Sequence, residues 1–284
     1  MSTITAAAVS ELRKKTDQPL MDCKSALTEA GGDMEKAVLI LRSRNAKVGT
    51  KREANEVAEG RVGVFIDAAK AEAGIVEMRC ESAPSAKSDQ FIKLANDVAK
   101  HVAGTAAADV PALMAQPHAG GTVKERVDEV VGLIREKMIV QRFARLTGGV
   151  FGQYVHHDGT VGVLLHCTGT GGSDEVLRDV CAHVAALNPQ YLSPAEVPAD
   201  LVTKEKTLMM QQIQGDEKNA SKPANIIEKI AEGKLKTWMS EITLTEQPMA
   251  NTAKYPGQTV GQVLTKQGLK PAQFIRYKVG ATAA

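Results

Sequence analysis

One seven-residue block occurs twice in this chain. Asp97-Val98-Ala99-Lys100-His101-Val102-Ala103 and Asp179-Val180-Cys181-Ala182-His183-Val184-Ala185 agree at five of seven positions. Each block follows two alternating apolar stretches, the second of which ends in a cysteine. Before the first block, Val62, Val64 and Ile66 give way to a polar break at Lys70–Gly74, and Ile75–Cys80 alternates again. Before the second, Val150–Val155 leads through His157-Asp158-Gly159-Thr160 to Val161–Cys167. A period of two reads as paired strands, and Asp-Gly is a strong hairpin signal. Each hairpin then enters a helix. Ser88 or Asp89 caps one that carries Phe91, Ile92, Ala95, Val98 and Val102; Ser173-Asp174 opens one that carries Val176, Leu177, Val180 and Val184. Two copies do not make a solenoid. They predict an α+β fold whose core is a duplicated hairpin-plus-helix unit, with subdomains at 62–145 and 146–284. Val123–Phe143, between the copies, reads as helix.

The flanks read differently. Residues 1–45 form three short helices: one capped by Thr5, one entered through Pro19, and one capped by Asp33 after Gly31-Gly32. Residues 46–61 are polar and mixed in charge, which predicts a linker, with a helical turn around Lys51–Ala58. Asp200–Gln214 and Asn225–Lys236 have sparse apolar residues and are separated by Gly215-Asp216-Glu217 and Lys222-Pro223. They predict an antiparallel helical hairpin at about 200–236 that protrudes from the core. Strand-like Glu241–Leu244, a helix from Thr259 to Gln267 and a strand Phe274–Val279 complete the chain.

Composition narrows the function classes. A chain of 284 residues has room for about two domains and a small module. Its net charge of +2 and aromatic content of 4% lack the clustered basic excess and stacking platforms of a nucleic-acid binder. No apolar run is long enough to cross a membrane, and Met1–Val9 lacks the features of a signal peptide. Cys23, Cys80, Cys167 and Cys181 form no CxxC and read as reduced thiols, so the expected compartment is the cytoplasm.

The chemical motifs are weak. There is no GxxxxGK[ST]. Gly169-Thr170-Gly171-Gly172 follows a strand but reads as a turn. His156, His157, His166 and Cys167 suggest a metal, yet adjacent strand residues point to opposite faces, so no metal is expected. Cys80 or Cys167 as a thiol nucleophile lacks an identified base. His101 and His183 hold equivalent repeat positions, which favours packing over chemistry.

A resemblance then emerges. Leu20-Met21-Asp22-Cys23-Lys24-Ser25-Ala26-Leu27 followed by Gly32-Asp33 closely resembles bacterial elongation factor Ts. Ala58-Glu59-Gly60, Tyr154, His156, Gly162-Val163-Leu164, His183–Ala186, Ser240–Pro248, Thr259–Leu264 and Phe274–Tyr277 agree in the same order over essentially the whole chain. The resemblance implies a guanine-nucleotide exchange factor for elongation factor Tu, with no covalent chemistry and no cofactor. It implies a ubiquitin-associated-like N-terminal module that touches the partner's G domain through Leu20 and Met21, with His156 near the same contact. It further implies binding to GDP-bound and nucleotide-free elongation factor Tu, a homodimer in some contexts, and no direct contact with nucleic acid or membrane.

Two departures stand out. After the first hairpin's cysteine the family carries Thr-Asp-Phe-Val, whose acidic and aromatic residues enter the partner's magnesium region. Here the loop is Ser82-Ala83-Pro84-Ser85, without carboxylate or ring. Proline fixes its own φ and favours extended geometry at Ala83, so the expected loop is stiff. An alternative function follows: a protein that holds elongation factor Tu but exchanges weakly or only with a matched partner. The second departure is that the chain stops soon after Val279, where many members carry a further helix.

Overall fold

The structure is a computed structural model that describes residues 4–216 and 223–281. Helix α1 (Ala6–Thr16) starts where the Thr5 side chain accepts from Ala8 N, and it buries Val9 and Leu12. Helix α2 (Leu20–Glu29) follows Pro19 and buries Cys23, Ala26 and Leu27. Helix α3 (Met34–Lys51) begins at Asp33, whose carboxylate accepts from Glu35 N and Lys36 N, both at 3.0 Å. The three share one apolar cluster with Ala37 and Leu41.

Strands β1 (Glu59–Asp67) and β2 (Glu72–Cys80) pair antiparallel from Glu59↔Cys80 to Asp67↔Glu72. A single helical turn, α4 (Ala83–Ala86), leads to α5 (Asp89–Ala103), capped by Ser88. Then come α6 (Val110–Met114), the short strands β3 (Pro117–His118) and β4 (Gly121–Thr122), and α7 (Val123–Ile134) with a Thr122/Glu125 capping box. Strand β5 (Met138–Thr147) pairs with β2 and completes a sheet of order β1-β2-β5. Helix α5 lies so close to this sheet that a Cβ at Gly74 would strike Ala99 O and Ala103 N. Val76, Met78, Phe91, Leu94, Val98, Val102 and Val131 form the core between them.

Two expectations change here. The stretch Val123–Phe143 is helix only to Ile134; Arg135 adopts φ 65° and ends it, and β5 follows with Met138 and Val140 buried. Of residues 46–61, the first six continue α3. Polarity there does not mean a loop: just before this stretch, Asn45 of the same helix is buried against Gly132 of α7, where a Cβ would collide with its amide.

The second copy builds β6 (Val150–Val155), β7 (Val161–Gly169) and α8 (Asp174–Leu187), the helix capped by Ser173. Helices α9 (Ala199–Gly215) and α10 (Ala224–Ile242) pack on each other, with Ile213 and Ala231 buried and Lys206 4.0 Å from Glu228. The expected break at Glu217 and Lys222 lies outside the described residues. Helix α11 (Val260–Lys266) and strand β8 (Leu269–Lys278) follow, and the sheet order is β6-β7-β8. Glu241–Leu244 is not a strand. Helix α10 runs to Ile242, buried Thr243 bonds back to Met239 O, and only a one-residue bridge joins Thr243 to Tyr191.

The chain divides into two compact units. One comprises the residues through Thr147, Val155–Gly162 and the segment from Tyr277 on; the other comprises Gly148–Tyr154 and Val163–Arg276. The expected boundary at 145/146 is therefore crossed twice. Val62 N donates to Gly159 O, and Val279 N donates to Thr160 O. Glu77, fully buried, accepts from Arg142 Nε at 2.7 Å, Arg79 NH1 at 3.3 Å and Gly280 N at 3.1 Å. Among the described residues no helix is long and apolar enough to cross a membrane.

Candidate functional site

The loop that departs from the resemblance begins where β2 ends. Glu81 accepts from Arg52 at 3.2 Å, from Asn55 at 2.9 Å and from the backbone of Lys137. Burial opposes ionisation of this carboxyl, but the bonds from Lys137, Asn55 and Arg52 outweigh it and hold its pKa below the usual range. Next in the chain, Ser82 is held by Glu136: its hydroxyl donates to Oε1 at 2.6 Å and its backbone N–H to Oε2 at 3.1 Å. Ser82 Oγ also accepts from Ser85 N, which starts the turn of α4. Ser85 is buried, Ala83 partly buried and Pro84 exposed. The extended residue is Ser82, at φ −129° and ψ 152°, and Ala83 is helical. The expected extended geometry at Ala83 is thus one residue out of place: the cap at Ser82 outweighs the proline's steric preference.

Glu136 sits just past the end of α7. Arg135, beside it, donates to Asp22 at 3.4 Å in the first turn of α2. Gln18, 2% exposed, donates to Glu129 O at 3.1 Å. Leu20 and Met21 precede Asp22 and are 49% and 68% exposed, although Cys23, Ala26 and Leu27 on the same helix are buried. Gln18 and Asp22 thus tie the start of α2, beside the exposed Leu20 and Met21, to Glu129 and Arg135, and the next residue, Glu136, holds the 82–85 loop. Leu39, 61% exposed on α3, is a further apolar surface residue that the sequence reading did not single out. Glu136 and Arg135 went unnoticed too: their partners are 54 and 113 residues away, and no local pattern marks them.

His156 belongs to a different part of this unit. Its N–H donates to Val161 O at 2.8 Å in the turn that Gly159 fastens to Val62. The strand ends at Val155, so the alternation argument does not apply, and the His156 and His157 rings lie 4.3 Å apart. His166 instead stacks on Phe151. Among the described residues no three His, Cys, Asp or Glu side chains converge as a metal cage.

The thiols and the glycine-rich turn are structural. Burial pushes the Cys80 thiol up to about 12, with Glu136 adding to the effect, and Cys167 likewise to about 12. A nucleophile needs the opposite shift. The turn Gly169–Gly172 packs on residues 267–269, and Ser173 N donates to Gln267 Oε1, which leaves no phosphate cradle. The repeat histidines each meet a glutamine: His101 Nε2 is 2.9 Å from Gln116 Oε1, and His183 Nε2 is 2.8 Å from Gln247 Oε1.

Comparisons with known proteins converge. The family model described as Elongation factor TS matches residues 85–281. The Elongation factor Ts of Thiobacillus denitrificans is 41% identical over 281 residues, covering 99% of this chain and 93% of that protein. The Elongation factor Ts proteins of Azoarcus sp. and Lactiplantibacillus plantarum are 40% and 38% identical, each covering 99% of this chain and 92% and 93% of their own lengths.

Proposed function

This chain belongs to the elongation factor Ts family of translation elongation factors, and from that premise we propose that it binds elongation factor Tu and promotes GDP release in the cytoplasm. The observation that carries this reading is that Asp22, next to Leu20-Met21, and Ser82, at the head of the 82–85 loop, bond to the consecutive residues Arg135 and Glu136. An exchange factor must press on two parts of its partner at a fixed spacing. Leu20 and Met21 offer apolar area for the G domain, and the loop is stiff enough to displace what it meets. His156, on its separate turn, extends the same contact. No cofactor and no bond-making step are required.

The energetics are those of linkage. A protein that binds the nucleotide-free partner more tightly weakens GDP binding by the same factor. Each tenfold step needs about 1.4 kcal/mol of differential binding. Magnesium demands near-octahedral oxygen ligation, so a small shift of its ligands is costly. The loop disturbs that region sterically, since Ala83 and Pro84 bring neither carboxylate nor ring.

A second reading has one observation in its favour. Ser82–Ser85 is fixed as a compact helical turn with Pro84 outward, and it cannot reach as far as an aromatic ring would. Such a loop exchanges well only with a partner shaped to meet it. Release of fluorescent GDP from purified elongation factor Tu tests both readings. Acceleration with the cognate and a heterologous partner alike supports general exchange. Acceleration confined to the cognate partner, or complex formation with little acceleration, supports the second reading, and neither binding nor acceleration overturns both.

A further inference from the structure

A cleft of about 1130 Å³ in the first unit is lined by the end of α1, by α3, α5 and α7 and by the β3–β4 turn, and it holds a pair of histidines that the proposed function does not use. His101 Nδ1 and His118 Nδ1 are 3.3 Å apart, with ring centroids 5.1 Å apart and planes at 88°. Gln116 Oε1 can only accept, and it lies 2.9 Å from His101 Nε2 while also receiving Thr105 Oγ. The His101 proton therefore sits on Nε2, and its Nδ1 lone pair faces His118. A backing acceptor of this kind is what orients metal-binding imidazoles. Two imidazole nitrogens on one tetrahedral ion, each at about 2.0–2.1 Å, stand about 3.3 Å apart.

We propose that His101 and His118 form a two-imidazole site for a first-row transition-metal dication of the zinc, nickel and copper class, with water completing the coordination. Nitrogen-only donors exclude the oxygen-seeking magnesium and calcium ions. The neighbouring acids do not join. Asp97, one turn before His101, is held by Arg126 at 3.3 Å, and Glu129 is held by the same guanidinium at 3.1 Å. The site stands independently of the exchange reading.

The test is calorimetric titration of the full chain with zinc chloride near pH 7.5, alongside His118→Gln. The expected result is one more bound equivalent in the parent than in the variant, and no heat from magnesium chloride. Zinc bound at His156 and His157 cancels in the difference. Long-range 15N–1H spectra of the unsubstituted chain supply a second readout that needs no variant. Zinc should move the Nδ1 signals of His101 and His118 and leave His101 Nε2 protonated. Equal stoichiometry in the two proteins, or unmoved Nδ1 signals, would overturn the site and leave a hydrogen-bonded imidazole pair.

Discussion

Glu136 grips Ser82 at both ends of one residue, hydroxyl at 2.6 Å and backbone N–H at 3.1 Å. Hydrogen bonds to a charged group contribute about 1.5–3 kcal/mol each. Glu136→Ala should free the 82–85 loop and slow GDP release about tenfold or more, with partner binding through Leu20 and Met21 largely kept. Glu136→Gln retains an acceptor and should recover most of the rate. Stopped-flow release beside circular-dichroism melts separates a positioning role from a folding defect; equal rates in parent and alanine variant would sink it.

Leu20 and Met21 contribute exposed area to the surface and little to the core. Leu20→Ala with Met21→Ala should shift stability by no more than about 0.5 kcal/mol per site. On the exchange reading, affinity for nucleotide-free elongation factor Tu should fall by at least tenfold. Unchanged affinity would remove these residues from the interface.

Ala83→Asp with Pro84→Phe restores the acid and ring whose absence marks this loop. Faster GDP release from a heterologous elongation factor Tu, without a gain on the cognate one, is expected if partner and loop are matched. No change with either would take the loop out of the interface. The turn itself should survive, because Ser82 and Glu136 hold it from outside the substituted pair.

His183 is buried, accepts from Ala250 N at 3.1 Å and meets Gln247 at 2.8 Å. Desolvation lowers its pKa, partly offset by Gln247. The unfolded chain then binds a proton more readily than the folded one, so this histidine costs stability as pH falls below about 6.5, the unperturbed value. His183→Gln should lower the melting temperature at pH 7.5 yet flatten its decline between pH 7 and 5. A parallel decline in both proteins would show that another group drives acid unfolding.

Gly132 meets Asn45 where α3 crosses α7. Gly132→Ala should overpack this contact and destabilise by about 1–3 kcal/mol. Adding Asn45→Ala removes the obstructing amide and should restore part of the loss. If Gly132→Ala melts like the parent, α3 and α7 are not pressed together there.

Much of the fold could be read residue by residue. Thr5, Asp33, Ser88, Ser173 and Thr259 each cap the helix that follows, because a side-chain oxygen at a helix start satisfies orphan N–H groups whatever the tertiary context. Strand β5 escaped notice because its stop signal is Arg135 at φ 65°, a residue that rarely adopts that geometry. The polar residues 46–51 read as linker yet continue α3, whose Asn45 is buried because its amide finds a glycine-sized space only in three dimensions. The candidate site was half legible. Leu20, Met21 and the altered loop came from resemblance, whereas Glu136 and Arg135 act across long sequence separations that leave no periodic trace.

Glu77 gives the first sheet a dependence on synthesis order. Its buried carboxylate is met by Arg79, Arg142 and, last, the backbone of Gly280. A nascent chain emerging from the ribosome can lay down β1, β2 and β5 early, but one hydrogen bond in the middle of that sheet waits for Gly280, 203 residues after Glu77. Until Gly280 arrives, the buried carboxylate is held by its two arginines alone, so the sheet built first keeps one place open for a segment made long after it.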